Sequence, residues 1–158
     1  MNALVTGGAG FIGSHVVDAL VARGDSVRVL DDLFSGDREN VNPAATLLVA
    51  GVADEDAVRD AVAGVDVVFH QAAQAGVRHS WSDGFADYVG HNVLATQRLL
   101  EAVQRRDGAC RFVYASSSSV YGNQARYPVR ESDLPAPYSP YGVTKLAGEH
   151  LCGLYAEN

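Results

Sequence analysis

Thr6-Gly7-Gly8-Ala9-Gly10-Phe11-Ile12-Gly13 decides the fold. The stretch follows a short β-branched run at residues 3–6. It opens a segment, 11–23, in which Ile12, Val16, Val17, Leu20 and Val21 share one helical stripe, with Gly24 as its C-terminal stop. Gly7, Gly10 and Gly13 are spaced G-x-x-G-x-x-G between strand and helix. Such a connection needs a tight turn, a backbone that a pyrophosphate can approach without a Cβ in the way, and close packing of helix on strand. The helix start then offers free N–H groups and a partial positive charge to an anion.

Working outward, further apolar runs occur at 26–30, 46–49, 65–70 and 111–115, short and nearly continuous, as in strands buried on both faces. Helical patterns lie between them. One spans 54–63, opened by Asp54 with acids in its first turn; another spans 83–106, and a last one runs from 139 or 140 to about 156. Regular alternation predicts an α/β chain built as a doubly wound parallel sheet, with residues 1–158 forming one domain. The proline-rich stretch 127–140 reads as a functional loop beside the sheet. Asp31 comes directly after the second strand, where a carboxylate accepts hydrogen bonds from adenosine ribose hydroxyls and repels a 2′-phosphate. The cofactor expected is therefore NAD rather than NADP, with Leu33, Ser35 and Gly36 on its ribose and adenine side and Asp32 a loop acid.

With 158 residues, 47% of them hydrophobic, the chain can bury a core without disulfide or metal staples. A formal charge of −7 and the lack of a basic stripe argue against nucleic-acid binding. No apolar run is long enough to span a bilayer, and the N-terminus has no basic region of the kind that precedes a signal sequence. Cys110 and Cys152 are widely separated and fit inert thiols in a reducing cytoplasm. The five histidines show no metal-ligand spacing, so no metal is expected; His70 is read as ordering the loop after the fourth strand. Trp81 reads as a packing anchor in preference to an edge of a sugar site.

Of the twelve basic residues only one, Lys145, is lysine. It follows Tyr141 by four positions, so the two side chains share a helix face. A tyrosine hydroxyl titrates near 10 in water and is a poor base at neutral pH; a neighbouring ammonium and a cationic nicotinamide ring favour its phenolate. Arginine does not reproduce the compact donor geometry of that position. Ser116, Ser117, Ser118 and Ser119 end the fifth strand, where parallel α/β sheets bind ligands.

Taken together, TGGAGFIGSH, DDLFSG, His70-Gln71-Ala72-Ala73, SSSSVYG and YGVTK resemble the extended short-chain dehydrogenase/reductase family, a Rossmann-type fold. Within it the chain is most similar to NAD-dependent nucleotide-sugar epimerases of the UDP-glucose 4-epimerase type. The resemblance implies epimerisation at C4 of UDP-glucose, UDP-galactose or UDP-glucuronate through a 4-keto intermediate. It assigns Tyr141 as the base on the sugar 4-hydroxyl and Ser117 as the bridge between that hydroxyl and Tyr141. Lys145 is placed on the nicotinamide ribose, Phe11 and Ile12 on the pyrophosphate through their backbone, and Gln71, Ala72, Ala73 and Asn92 near the nicotinamide ribose. It also implies a homodimer in which the helices of 83–106 and 139–156 pair as a four-helix bundle. Similar 4,6-dehydratases carry Asp-Glu after the catalytic threonine, whereas Ser118 and Ser119 here cannot do carboxyl chemistry, which favours the epimerase. The stretch 74–78, with Arg78, is more like UDP-glucuronate 4-epimerases.

Two features depart from the family. Gly51 is followed by Val52 where an adenine-contacting Asp is usual, which removes one hydrogen bond, about 1 kcal/mol. The chain is also about half the family length, as if lacking the last strands and the C-terminal substrate domain. A non-catalytic NAD module, or one half of a split enzyme, is the alternative expectation.

Overall fold

The computed structural model describes residues 1–158. Five strands, β1 (Asn2–Thr6), β2 (Ser26–Asp31), β3 (Thr46–Val49), β4 (Val67–His70) and β5 (Arg111–Tyr114), form one sheet in the order β3-β2-β1-β4-β5. Every pairing is parallel, so all five C-terminal ends lie along one edge. After β3 the chain crosses back over β1 to place β4, which makes the gap between the loops after β1 and β4 the topological switch point.

The helices are α1 (Phe11–Ala22), α2 (Glu55–Val62), α3 (Phe85–Tyr88), α4 (Ala95–Arg105) and α5 (Pro140–Glu157). The two-residue alternation of β1 divides the core. Ala3 and Val5 face α1 with Val17, Leu20 and Val29, while Leu4 faces the opposite layer with Leu30, Val58, Val62, Val68 and Leu99 of β2, α2, β4 and α4. α1 stops at Gly24, whose φ of +90° is open to glycine at little cost and whose N–H bonds to Val21 O at 2.9 Å. α2 is closed at both ends. Asp54 accepts from the N–H groups of Asp56 and Ala57, and Arg28 of β2 donates to the carbonyls of Ala61 and Ala63.

The doubly wound parallel architecture matches the expectation, with small boundary shifts; β4, for example, begins at Val67 rather than at 65. The expected helix over 83–106 is interrupted. Between α3 and α4 the backbone widens into a π-helical stretch, Val89–Leu94, whose looser turn points Asn92 into the protein while the adjacent His91 stays exposed. Trp81 is 54% exposed and is no packing anchor; the neighbouring Ser80 is the buried residue. No helix is long and apolar enough to cross a membrane.

Candidate active site

A cleft of about 390 Å³ opens at the C-terminal ends of β1, β2 and β4. It gathers Gly7, Gly10, Phe11, Ile12, Gly13, Asp31, Ser35, Gly36, Gln71, Ala72 and Ala73 of the expected cofactor residues. The three glycines are needed for three different reasons. Gly7 sits at φ +69°, and a Cβ there would stand 2.6 Å from Ala72 N. A Cβ at Gly13 would run into the Gly7 carbonyl group, so this glycine lets α1 pack on the turn. Gly10 differs from both. Its φ of −80° and ψ of 172° suit any residue, and its Cβ would meet only Gly7 O, at 3.3 Å. Nothing inside the protein demands glycine at position 10; the room it leaves lies in the cleft.

The start of α1 carries no side-chain cap and no acid in its first turn, in contrast to α2 with Asp54, Glu55 and Asp56. One helix end is closed by carboxylates and the other is left positive toward the cleft. Asp31, only 8% exposed, accepts from Ala9 N through one oxygen and from Leu33 N through the other, each at 2.9 Å. Each oxygen keeps a lone-pair site for a hydroxyl donor. These residues fit a dinucleotide: an anion cradle, an acid beside it, and a glycine whose only evident reason is space. Val52 packs in the core with Leu4 and Leu30 while also edging the cleft, so an apolar side chain and no carboxylate stands at that position. Asp32 lines the cleft beside Gly51, a placement the sequence reading of a plain loop acid did not supply.

Of the expected cofactor residues, Leu33, Asn92, Tyr141 and Lys145 do not line the cleft. Leu33 instead provides the bend, at φ +59°, held by its bond to Asp31. Asn92 is 1% exposed and its amide is spent on the protein: Oδ1 accepts from Gln74 N at 2.7 Å, and Nδ2 donates to Gln74 O and Thr144 Oγ1. It clamps the 71–75 wall of the cleft to α5.

A second buried chain supports the same wall, and its direction can be worked out. Asn92 O can only accept, so the Thr96 Oγ1 proton goes there and His70 Nε2–H donates to Thr96 Oγ1. The Nδ1 of the neutral ring then accepts from Thr6 Oγ1 at 2.6 Å, and Thr6 Oγ1 itself accepts from Ala72 N. His70 is thus a neutral Nε2–H tautomer, and burial first, then the Lys145 charge, pulls its pKa down to about 3. His70 orders the loop, as expected; the roles of Thr6 and Thr96 left no signal in the sequence.

The fifth strand and last helix assemble the other group. Ser139 caps α5 by accepting from Gly142 N, and Pro140 occupies its first turn. Tyr141 and Lys145 follow on one face. Lys145 is 4% exposed, donates through Nζ to Ala115 O at 2.9 Å, and sits 5.0 Å over the centre of the Tyr114 ring. Burial pulls its pKa down to about 8. Tyr114 presses its buried, unpartnered hydroxyl against Gly148, and burial raises its pKa. Tyr141 stands edge-on to the Tyr88 ring at 6.2 Å, and Tyr88 in turn donates to the carbonyls of Ala75 and Gly76.

Ser117 Oγ accepts from Ser119 N, heading a single turn, Ser118–Val120, and its proton stays free to donate. That turn rests on α5 at Gly142, where a Cβ would stand 2.6 Å from Ser119 O. Gly142 and Tyr88 are the residues sequence reasoning missed; the glycine directly after the tyrosine was the available clue. Ser116 donates to Glu149, one turn beyond Lys145. Burial and the nearby Glu149 push the Cys152 thiol up to about 11, which keeps it protonated and unreactive.

Comparison with known proteins gives the arrangement its relatives. The chain is 42% identical over 163 residues to a UDP-glucose 4-epimerase of Mycolicibacterium smegmatis, covering 98% of this chain and 51% of that protein. It is 41% identical over 163 residues to a dTDP-glucose 4,6-dehydratase of Streptomyces niveus, covering 96% of this chain and 48% of that protein. The crystal structure of UDP-glucuronic acid 4-epimerase from Bacillus cereus, in complex with UDP-glucuronic acid and NAD, superposes with a TM-score of 0.92 at 40% identity, covering all of this chain and 53% of that one. The chain spans about half the length of the relatives it matches. The sequence model of one family matches residues 3–158, and with the parallel sheet, the open glycine cradle and the Tyr141–Lys145 helix already in place, the chain belongs to the NAD dependent epimerase/dehydratase family.

Proposed function

We propose that residues 1–158 are the NAD-binding portion of a nucleotide-sugar 4-epimerase, acting on a UDP-hexose or UDP-hexuronate. The observation that carries this reading is a juxtaposition along one sheet edge. The open cradle lies at the ends of β1 and β2, while Lys145, Tyr141 and the Ser117 turn meet at the end of β5. In this reading Gly7, Gly10 and Gly13 with the Phe11 and Ile12 backbone hold the pyrophosphate, and Asp31 takes the adenosine ribose. Ser35 and Gly36 lie on the adenine side, with Leu33 shaping that bend. Gln71, Ala72 and Ala73 wall the nicotinamide side, and Asn92 acts on it through Gln74.

NAD held by Gly7, Gly10, Gly13 and Asp31 would supply a hydride acceptor for sugar C4 and a hydride donor for the opposite face of the ketone. The chain's own residues manage the proton. Ser117 donates its free hydroxyl proton into the bridge between sugar and Tyr141, and Tyr141 removes the 4-hydroxyl proton as the C–H bond breaks. Lys145, held by Ala115 O, retains two further N–H donors for a ribose hydroxyl and places its charge one turn from the phenol. Exchange of Tyr141 for Phe tests this. The variant should keep NAD and its fold while losing turnover of UDP-glucose or UDP-glucuronate by orders of magnitude; unchanged turnover would refute it.

Two other readings are separable. One is a module that holds NAD without turnover, in which added UDP-sugar leaves the nicotinamide oxidised. The dehydratase relative raises 4,6-elimination, which Ser118 and Ser119 disfavour because neither supplies a carboxyl group; a dehydrated product would reverse that ranking. For partners we propose a homodimer through α4 and α5, which pack together and expose the apolar Leu94 flank and Leu154. Equilibrium sedimentation at monomer mass would exclude it.

A further inference from the structure

Resting on the NAD reading, we infer that Phe34 and His91 form an aromatic strap across the mouth of the cofactor cleft and set how slowly the dinucleotide leaves. The two residues arise from opposite sides. Phe34 follows β2, His91 belongs to the connection after β4, and β1 with its glycine turn lies between those strands. Both nevertheless line the same cleft, and their rings meet at 6.3 Å between centroids with planes 25° apart, within the range of an offset aromatic pair. This contact crosses the site instead of lining one wall of it.

Two local irregularities of backbone aim the rings. On one side Asp31 and Asp32 bond successively to Leu33 N and Phe34 N, and Leu33 adopts φ +59°, a region a branched side chain occupies only when held. On the other side the π-helical turn turns Asn92 inward to clamp Gln74 and leaves His91 at the cleft mouth. Phe34 is 75% exposed, so the hydrophobic effect gives it no reason to stand where it does apart from His91 and whatever lies beneath. It lies over the cleft and does not fill it. A dinucleotide seated on the glycine turn passes under the pair, and release requires the pair to part.

An aromatic pair of this kind corresponds to about a three- to tenfold change in rate. The test uses the full chain loaded with NADH and chased with excess NAD, following the loss of bound-nicotinamide fluorescence by stopped flow. Phe34→Ala and His91→Ala should each release NADH about three- to tenfold faster than the parent. The double variant should be no faster than the quicker single one, because either change alone opens the strap. His91→Phe, which retains a ring, should keep release slow. Both positions are exposed, so far-ultraviolet circular dichroism should be unchanged. Parent-like release in both single variants, or effects that multiply in the double variant, would overturn the strap while leaving NAD binding intact. Failure of the parent chain to take up NADH at all would overturn the cofactor reading and the strap with it.

Discussion

Gly10→Ala and Gly13→Ala should separate binding from folding within one turn of chain. At position 10 the backbone angles suit alanine, and the new methyl meets a single atom, Gly7 O, at 3.3 Å. Stability without cofactor should therefore stay within about 1 kcal/mol of the parent, since a few tenths of an ångström of adjustment opposes a gain of about 0.4–1 kcal/mol from stiffening the unfolded chain. Gly10 lines the cleft, and in the proposed reading the same methyl projects toward the pyrophosphate. Lengthening even one hydrogen bond to a charged group, worth about 1.5–3 kcal/mol, weakens NAD by about ten- to a hundredfold. At position 13 the methyl would stand 2.8 Å from the Gly7 carbonyl carbon and 2.9 Å from Gly8 Cα, both backbone atoms unable to yield separately. That overpacking should remove about 1–3 kcal/mol of stability whether or not cofactor is present. Urea unfolding with and without NAD, alongside calorimetric titration, reads both quantities. Loss of more than about 2 kcal/mol in Gly10→Ala with NAD affinity unchanged would refute the division of roles.

Four further outcomes follow from the geometry. Lys145 titrates at about 8 when folded against 10.5 as its ordinary value, so the unfolded chain holds the proton more tightly between those values. Cofactor-free stability should rise from pH 8 to 10.5, by up to about 3 kcal/mol, and Lys145→Met should lack that rise in urea titrations. His70 works at the acid side: its pKa falls from 6.5 to about 3 on folding, so its contribution is complete above 6.5 and is lost as pH drops toward 3. The loss approaches about 1.4 kcal/mol per pH unit, and His70→Gln should show a shallower acid limb. Gly142→Ala drives a methyl to 2.6 Å from Ser119 O and should lower turnover of a UDP-sugar more than NAD affinity, because the serine turn moves and the cradle does not. Thr96→Val cuts the chain from His70 to Asn92 O and should cost about 1–3 kcal/mol in thermal or urea unfolding, the penalty of leaving His70 Nε2–H unpaired.

The sequence made the framework legible because its signals are local. Glycine spacing, β-branched runs and the cap at Asp54 each state their structural consequence within a few residues, and the fold follows them closely. Side chains that act across long separations were not legible. Asn92 looked like a cofactor contact, yet its amide pairs with Gln74 and with Thr144, 18 and 52 residues away. The Thr6–His70–Thr96 chain joins three elements and leaves no motif in any of them. The break between α3 and α4 was hidden for a related reason, since a π-helical turn preserves the apolar stripe on both sides while shifting its phase. Gly142 required knowledge of what lay against it. The lysine was visible by its solitude, but the ring beneath it and the carbonyl that holds it were not.

The cleft beside Asp31 is built for NAD. Calorimetric titration of the chain with NAD and with NADP measures it most directly. One NAD should bind per chain, and NADP should bind more weakly by about tenfold or more, because its 2′-phosphate meets a carboxylate already fixed by Ala9 and Leu33. Equal affinity for the two nucleotides, or no binding of either, would contradict the account.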